Sequence, residues 1–97
     1  MAIVRLIFVT VKAEDAAAAE RVWKNDCAPL MIKQEGCQSE ELLKSTEVKG
    51  EFISYAECDS QASIDRYLAG ADHQTIKRHA SGLKTTSAPV VKCYTLV

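Results

Sequence analysis

Two stretches of strand character, Cys37 to Ser45 and Glu51 to Asp59, flank Thr46-Glu-Val-Lys-Gly50, a connection of the length that closes a β-hairpin. They are expected to pair antiparallel, and what surrounds them leaves few arrangements. Upstream, Ile3 to Val11 is rich in β-branched and aromatic residues and reads as a first strand. From Glu14 to Gln34 the pattern turns helical, with Ala16, Ala19, Trp23, Cys27, Leu30 and Met31 recurring at three- and four-residue steps. Pro29 interrupts that run, which predicts a kink near Asp26 to Ala28, and Gly36 is a C-terminal stop that tolerates positive φ. Downstream, Asp59 or Ser60 supplies a capping oxygen for a helix whose buried stripe is Ile64, Tyr67, Leu68 and Ala71. Gly70 splits that helix, and Ala71 to Leu83 resumes it with His73, Ile76, Ala80 and Leu83 on one side, ending at Ser81-Gly82. Pro89 leads into a last strand, Val90 to Val97.

The order βαββαβ predicts an α+β, ferredoxin-like plait, a four-stranded antiparallel sheet with helices on one face. A chain of 97 residues is expected to form one domain over its whole length, 1–97. The second sheet face is left open, and apolar surface in water is unfavourable by about 25 cal/mol for each Å². Pairing two such faces across a two-fold axis removes that cost, so a homodimer through the open face is expected.

Composition removes several classes of partner. With a net charge of -1 and 26% charged residues there is no basic stripe for phosphates, and no nucleic-acid partner is expected. The longest apolar run falls far short of the ~20 residues of a membrane span, and no charged segment followed by an apolar one opens the chain. The expectation is a cytoplasmic protein without a membrane partner. Cys27, Cys37, Cys58 and Cys93 form no C-x-x-C and are expected as reduced, partly buried thiols, while neither they nor the histidines show metal-ligand spacing.

Glu35-Gly36-Cys37, Glu41-Leu42-Leu43, Phe52-Ile53-Ser54-Tyr55-Ala56-Glu57, the cap Asp59-Ser60-Gln61-Ala62, Tyr67-Leu68 and His73 together resemble the antibiotic biosynthesis monooxygenase family of the dimeric α+β barrel superfamily. The resemblance covers nearly the whole chain. It implies a dimeric α+β barrel, a pocket between the helices and the covered sheet face, and an aromatic small-molecule substrate oxygenated without metal, flavin or other cofactor. The family also contains haem-degrading enzymes and proteins without assigned activity. Where the haem-degrading branch carries Asn, Trp and an iron-ligating His, this chain has Ile7, Tyr67 and Lys77, which disfavours haem binding or degradation. The family's frequent Glu-x-Trp ending of the third strand is absent too, since Cys58 follows Glu57. A non-catalytic small-molecule-binding or stress-related barrel is the alternative to an enzyme.

Oxygenation of a quinol, phenol or enolisable aromatic needs a group to take a proton and a dry cavity to hold the resulting anion against oxygen. His73 is the leading proton-handling candidate, since an imidazole titrates near neutrality; the plainer reading is a histidine that caps the helix or fills a gap. Tyr67, on the buried stripe, either points its phenol into the pocket or packs. Tyr55, Glu57, Cys58, Trp23 and Ile76 are candidate substrate contacts. Strand alternation puts Tyr55 and Glu57 on one face and Ser54 and Cys58 on the other, and leaves open which face meets the helices. A buried Glu57 is expected to answer Arg5 or another cation. Glu40-Glu41 reads as a solvated strand edge, Trp23 more readily as core, and His79 as surface.

Overall fold

The computed structural model describes residues 2–80 and 85–97. Strands β1 (Ile3–Thr10), β2 (Cys37–Lys44), β3 (Glu51–Cys58) and β4 (Val90–Thr95) form a four-stranded sheet in the order β2-β3-β1-β4, antiparallel at every pairing. Helices α1 (Ala16–Val22) and α2 (Ala28–Ile32), joined through Trp23–Cys27, follow β1, and α3 (Gln61–Ala69) and α4 (Ala71–Ala80) follow β3. The predicted α+β, ferredoxin-like βαββαβ plait is therefore the observed fold. The expected helix stop at Ser81-Gly82, and Leu83 with it, lies outside the described residues.

The kink has the expected place and a specific form. Pro29 has no N–H to bond the carbonyl of Asn25 and its ring would crowd that oxygen. The chain widens instead: Trp23–Cys27 is a π-helical turn in which the Ala28 N–H bonds the Trp23 carbonyl five residues back. Cys27 is buried and Trp23 is half-buried with its indole Nε1 directed to β3.

Gly36 is at φ +86°, and a Cβ there would collide with Ser63 and Asp59, so the stop at α2 is also where the chain passes tightly under α3. The Asp59 N–H bonds the Gly36 carbonyl at 2.8 Å, and the Ser60 hydroxyl caps α3 by accepting from the Ser63 N–H at 3.2 Å. Gly70 ends α3, as its place in the pattern predicts. Of the expected stripe, Ile64 is buried and Tyr67 half-buried, but Leu68 is 37% exposed and Ala71 is exposed.

Strand register resolves the two faces. Phe52, Ser54 and Ala56 of β3 are buried, and opposite them on β1 stand Val9, Ile7 and Arg5. On β2 the corresponding row is Lys44, Leu42 and Glu40. Helices cover this side; Val11, Ala16, Ala19 and Phe52 form its buried cluster, with Val9 and Leu42 packed against it. The other face carries Val4, Leu6, Phe8, Ile53, Tyr55 and Tyr94, by the same alternation. Phe8, Leu43 and Tyr94 on this face are 36%, 44% and 50% exposed.

Candidate functional site

A cavity of about 380 Å³ lies between helices and sheet, walled by Ala19, Val22, Trp23 and Cys27 from the first helical segment and by Lys77 and Ala80 from α4. Val9, Leu42, Phe52 and Ser54 make its sheet side, and Thr85 and Pro89 border it from the segment leading to β4. That segment is held over the end of β1 by the Thr86 N–H, which bonds the Thr10 carbonyl at 2.8 Å. At α4's other end the Gln34 amide donates to Asp72 at 2.7 Å and Lys33 pairs with the same carboxylate at 3.6 Å, tying α4 to the end of α2. The lining is mostly aliphatic and aromatic, with few polar groups, which is the make-up of small-molecule sites.

One of those polar groups is connected inward. The Trp23 indole Nε1 donates to Ser54 Oγ at 3.4 Å, and the Ser54 hydroxyl donates to Glu40 Oε1 at 2.8 Å. Glu40 Oε2 is shut off from solvent and has no hydrogen-bond partner among the described residues. Burial pushes the Glu40 carboxyl up to about 7, against the opposing pull of the Ser54 hydrogen bond and the Arg5 charge. Glu40 is thus not the solvated strand edge expected of it. Side-chain alternation turns it to the covered face with Leu42, two residues on, while its neighbour Glu41 is exposed.

Glu40, Ala56 and Arg5 form one row across β2, β3 and β1. The small Ala56 between them leaves room for two long side chains, and Arg5 is only 9% exposed. Glu57 is half-buried and pairs with Val4 on the opposite face, so the condition for it to answer Arg5 is not met and the carboxylate on Arg5's face is Glu40. Tyr55 shares the open face with Glu57 and donates to it at 3.4 Å. Neither borders the large cavity.

The other sequence candidates divide between two places. Trp23 lines the large cavity. Tyr67 and Cys58 line a second cavity of about 20 Å³ beside Arg5, Cys37 and Ile64, room for about one water molecule rather than a substrate. Tyr67 and His73 meet edge to face, with ring centroids 5.0 Å apart. His73 does not line the large cavity but stands one turn before Lys77 on the same side of α4. Its Nδ1 is buried and without a hydrogen-bond partner among the described residues, and burial, then Lys77 and Arg5, lower its pKa. Ile76 is half-buried and His79 exposed. Burial raises the Tyr67 phenol to about 12, so it is a neutral hydroxyl at physiological pH.

Sequence reasoning missed Ser54, Glu40 and Lys77 as site residues. For Ser54 and Glu40 the signal lay in the hairpin: once β2 and β3 pair, a serine and a glutamate fall on the face with Phe52 and Leu42.

The sequence pattern of the antibiotic biosynthesis monooxygenase family matches residues 2–79. No curated protein matches. Solved structures do: a Bordetella bronchiseptica protein provisionally assigned to that family superposes with a TM-score of 0.87 at 18% identity, covering 99% of this chain and 97% of that one. A conserved protein from Methanosarcina mazei gives 0.85 at 18% identity over 97% and 91%. A variant of SnoaB, a cofactor-independent oxygenase from Streptomyces nogalater, gives 0.84 at 18% identity over 98% and 92%. At these identities the likeness establishes the fold.

Proposed function

Because the chain belongs to the antibiotic biosynthesis monooxygenase family, we propose that it is a cofactor-independent monooxygenase acting on a quinol, phenol or enolisable aromatic small molecule. The observation that carries this reading is the chamber of about 380 Å³ with Trp23 on its wall and Ser54 on its sheet side. A cavity of about 150 Å³ already accepts benzene, so the chamber has room for a substituted ring. The substrate, once deprotonated, supplies the electrons to dioxygen; one oxygen atom enters the product as a carbonyl and the other leaves as water. The chain's part is to take the proton and to keep the anion away from water. Two groups near the chamber suit the first task, His73 and Glu40, and Tyr67 orients His73 through the ring contact.

We also propose the homodimer, through the open face. Its exposed Phe8, Leu43 and Tyr94 would leave water, while each subunit keeps its own chamber on the helical side. No helix among the described residues is long and apolar enough to cross a membrane, and the free thiols at all four cysteines suit the reducing cytoplasm.

The test is oxygen uptake by purified protein with a panel of quinols, phenols and enolisable aromatics, read beside the fluorescence of Trp23, the sole tryptophan. Expected is quenching of Trp23 by those members that are also oxygenated without added metal or flavin. Quenching without oxygen uptake across the panel would overturn the enzyme in favour of a binding protein. A Soret band on titration with haemin would revive the haem-binding alternative.

A further inference from the structure

We propose that Ser54 and Glu40 form a proton relay serving the chamber: a substrate hydroxyl hydrogen-bonds to Ser54 Oγ, and its proton passes to Ser54 as the Ser54 hydroxyl proton passes to Glu40 Oε1. The relay rests on the reading of the chamber as a site for phenols or enols. It names the end of that site where the acidic hydroxyl binds.

The geometry supports each link. Ser54 is the β3 residue that both borders the chamber and touches Glu40, with its hydroxyl donating to the carboxylate at 2.8 Å. A hydroxyl oxygen accepts two hydrogen bonds; one lone pair of Ser54 Oγ takes the Trp23 N–H at 3.4 Å and the other serves a hydroxyl in the chamber. The step balances as two O–H bonds broken and two formed: the substrate loses one proton, Ser54 gains one and gives one up, and Glu40 gains one. Glu40 acts through Ser54 and does not itself border the chamber. His73 does not border the chamber, and its ring contact is with Tyr67.

Charges from every side bear on Glu40. Arg5 on β1 favours its ionised form, and Cys27 from the π turn, Cys37 of β2, Cys58 of β3 and Tyr67 of α3 are the titratable groups that feel it. Burial raises all four of these, so they stay neutral near pH 7, and the charge balance around Glu40 is set by Arg5. With its own carboxyl near 7, Glu40 is matched to exchange protons at neutral pH.

The experiment uses 4-nitrophenol as probe, because its anion absorbs at longer wavelength than the neutral phenol. Protein is added in excess over the probe at about pH 7, where a share of Glu40 is ionised and able to take the proton and the free probe is only partly ionised. Wild type is expected to show the phenolate band on binding, and Glu40→Gln and Ser54→Ala, checked for fold by circular dichroism, are expected to bind the probe in its neutral form. For oxygenated substrates kcat should fall by about 10²- to 10⁴-fold in either variant, with loss of the limb of the pH profile near 7. A phenolate band retained in either variant overturns the relay, as does its absence from wild type; a band lost only in His73→Ala assigns the proton to His73 instead. The spectral readout needs no turnover, so a protein that ionises the probe but consumes no oxygen keeps the relay and loses the monooxygenase reading.

Discussion

Glu40 and Ser54 are hydrogen-bonded at 2.8 Å diagonally across β2 and β3, where the direct cross-strand partners are Glu40 with Ala56 and Leu42 with Ser54. This contact puts a carboxylate raised to about 7 under the helices, and folding is thereby linked to pH. The folded pKa lies above the ordinary 4.5, so the native state holds the proton more tightly than the unfolded chain. The contribution is present in full below pH 4.5 and is lost as pH rises toward about 7, a change of about 3 kcal/mol at about 1.4 kcal/mol for each pH unit. Glu40→Gln keeps an acceptor for Ser54 and removes the ionisation. Urea unfolding at pH 8 should find Glu40→Gln more stable than wild type, with the advantage fading by pH 5.

Gly36→Ala is expected to destabilise the fold by about 2 kcal/mol, from the left-handed backbone and the crowding of Ser63 and Asp59. Chemical denaturation measures it. An unchanged midpoint would mean that the loop relaxes at no cost.

Thiol reactivity should follow burial. Burial first, then Cys58 and Glu40, raise Cys37 to about 11, and burial also raises Cys27 and Cys58. Cys93 is exposed. Iodoacetamide at neutral pH should therefore modify Cys93 well before the other three, since the thiolate is the nucleophile; peptide mapping of partly alkylated protein reads the order.

Legibility in the sequence followed the range of the interaction. Pro29, Gly36, Gly70 and the Ser60 cap each fix a local backbone event, and all four were readable from their neighbours alone. Glu40 was not, because its burial depends on which hairpin face the helices cover, and alternation by itself is symmetric. Lys77, Thr85 and Pro89 become chamber walls only when α4 packs against the Trp23–Cys27 turn and the return segment crosses the end of β1, a matter of tertiary placement. His73 and Tyr67 meet across the break between α3 and α4, and their distance from the chamber depends on how α4 turns after Gly70.

The open face yields a prediction about assembly. Phe8 lies on it beneath the Lys92 ammonium, 5.6 Å from the ring centroid. Phe8→Glu would put a carboxylate into the proposed subunit contact, where desolvating an unpaired charge is strongly unfavourable. Sedimentation equilibrium should give a dimer for wild type and a monomer for the variant. A wild-type monomer at micromolar concentration would reject the interface.

His73 and Lys77 stand one turn apart on α4, and the lysine's positive charge adds to burial in lowering the imidazole pKa. Lys77→Gln should move the His73 pKa back up toward 6.5, seen by NMR titration of the imidazole C–H resonances with the exposed His79 as the second signal. The sign for stability is opposite to that of Glu40. A lowered folded pKa means the neutral imidazole is favoured on folding, so its contribution is present above pH 6.5 and is lost as pH falls through the folded pKa. Wild-type stability below neutrality is therefore a sum of two opposed titrations, and Lys77→Gln should weaken the His73 part alone. If Lys77→Gln leaves the His73 resonance titrating as in wild type, the lysine charge does not reach the ring, and burial and Arg5 account for the lowering.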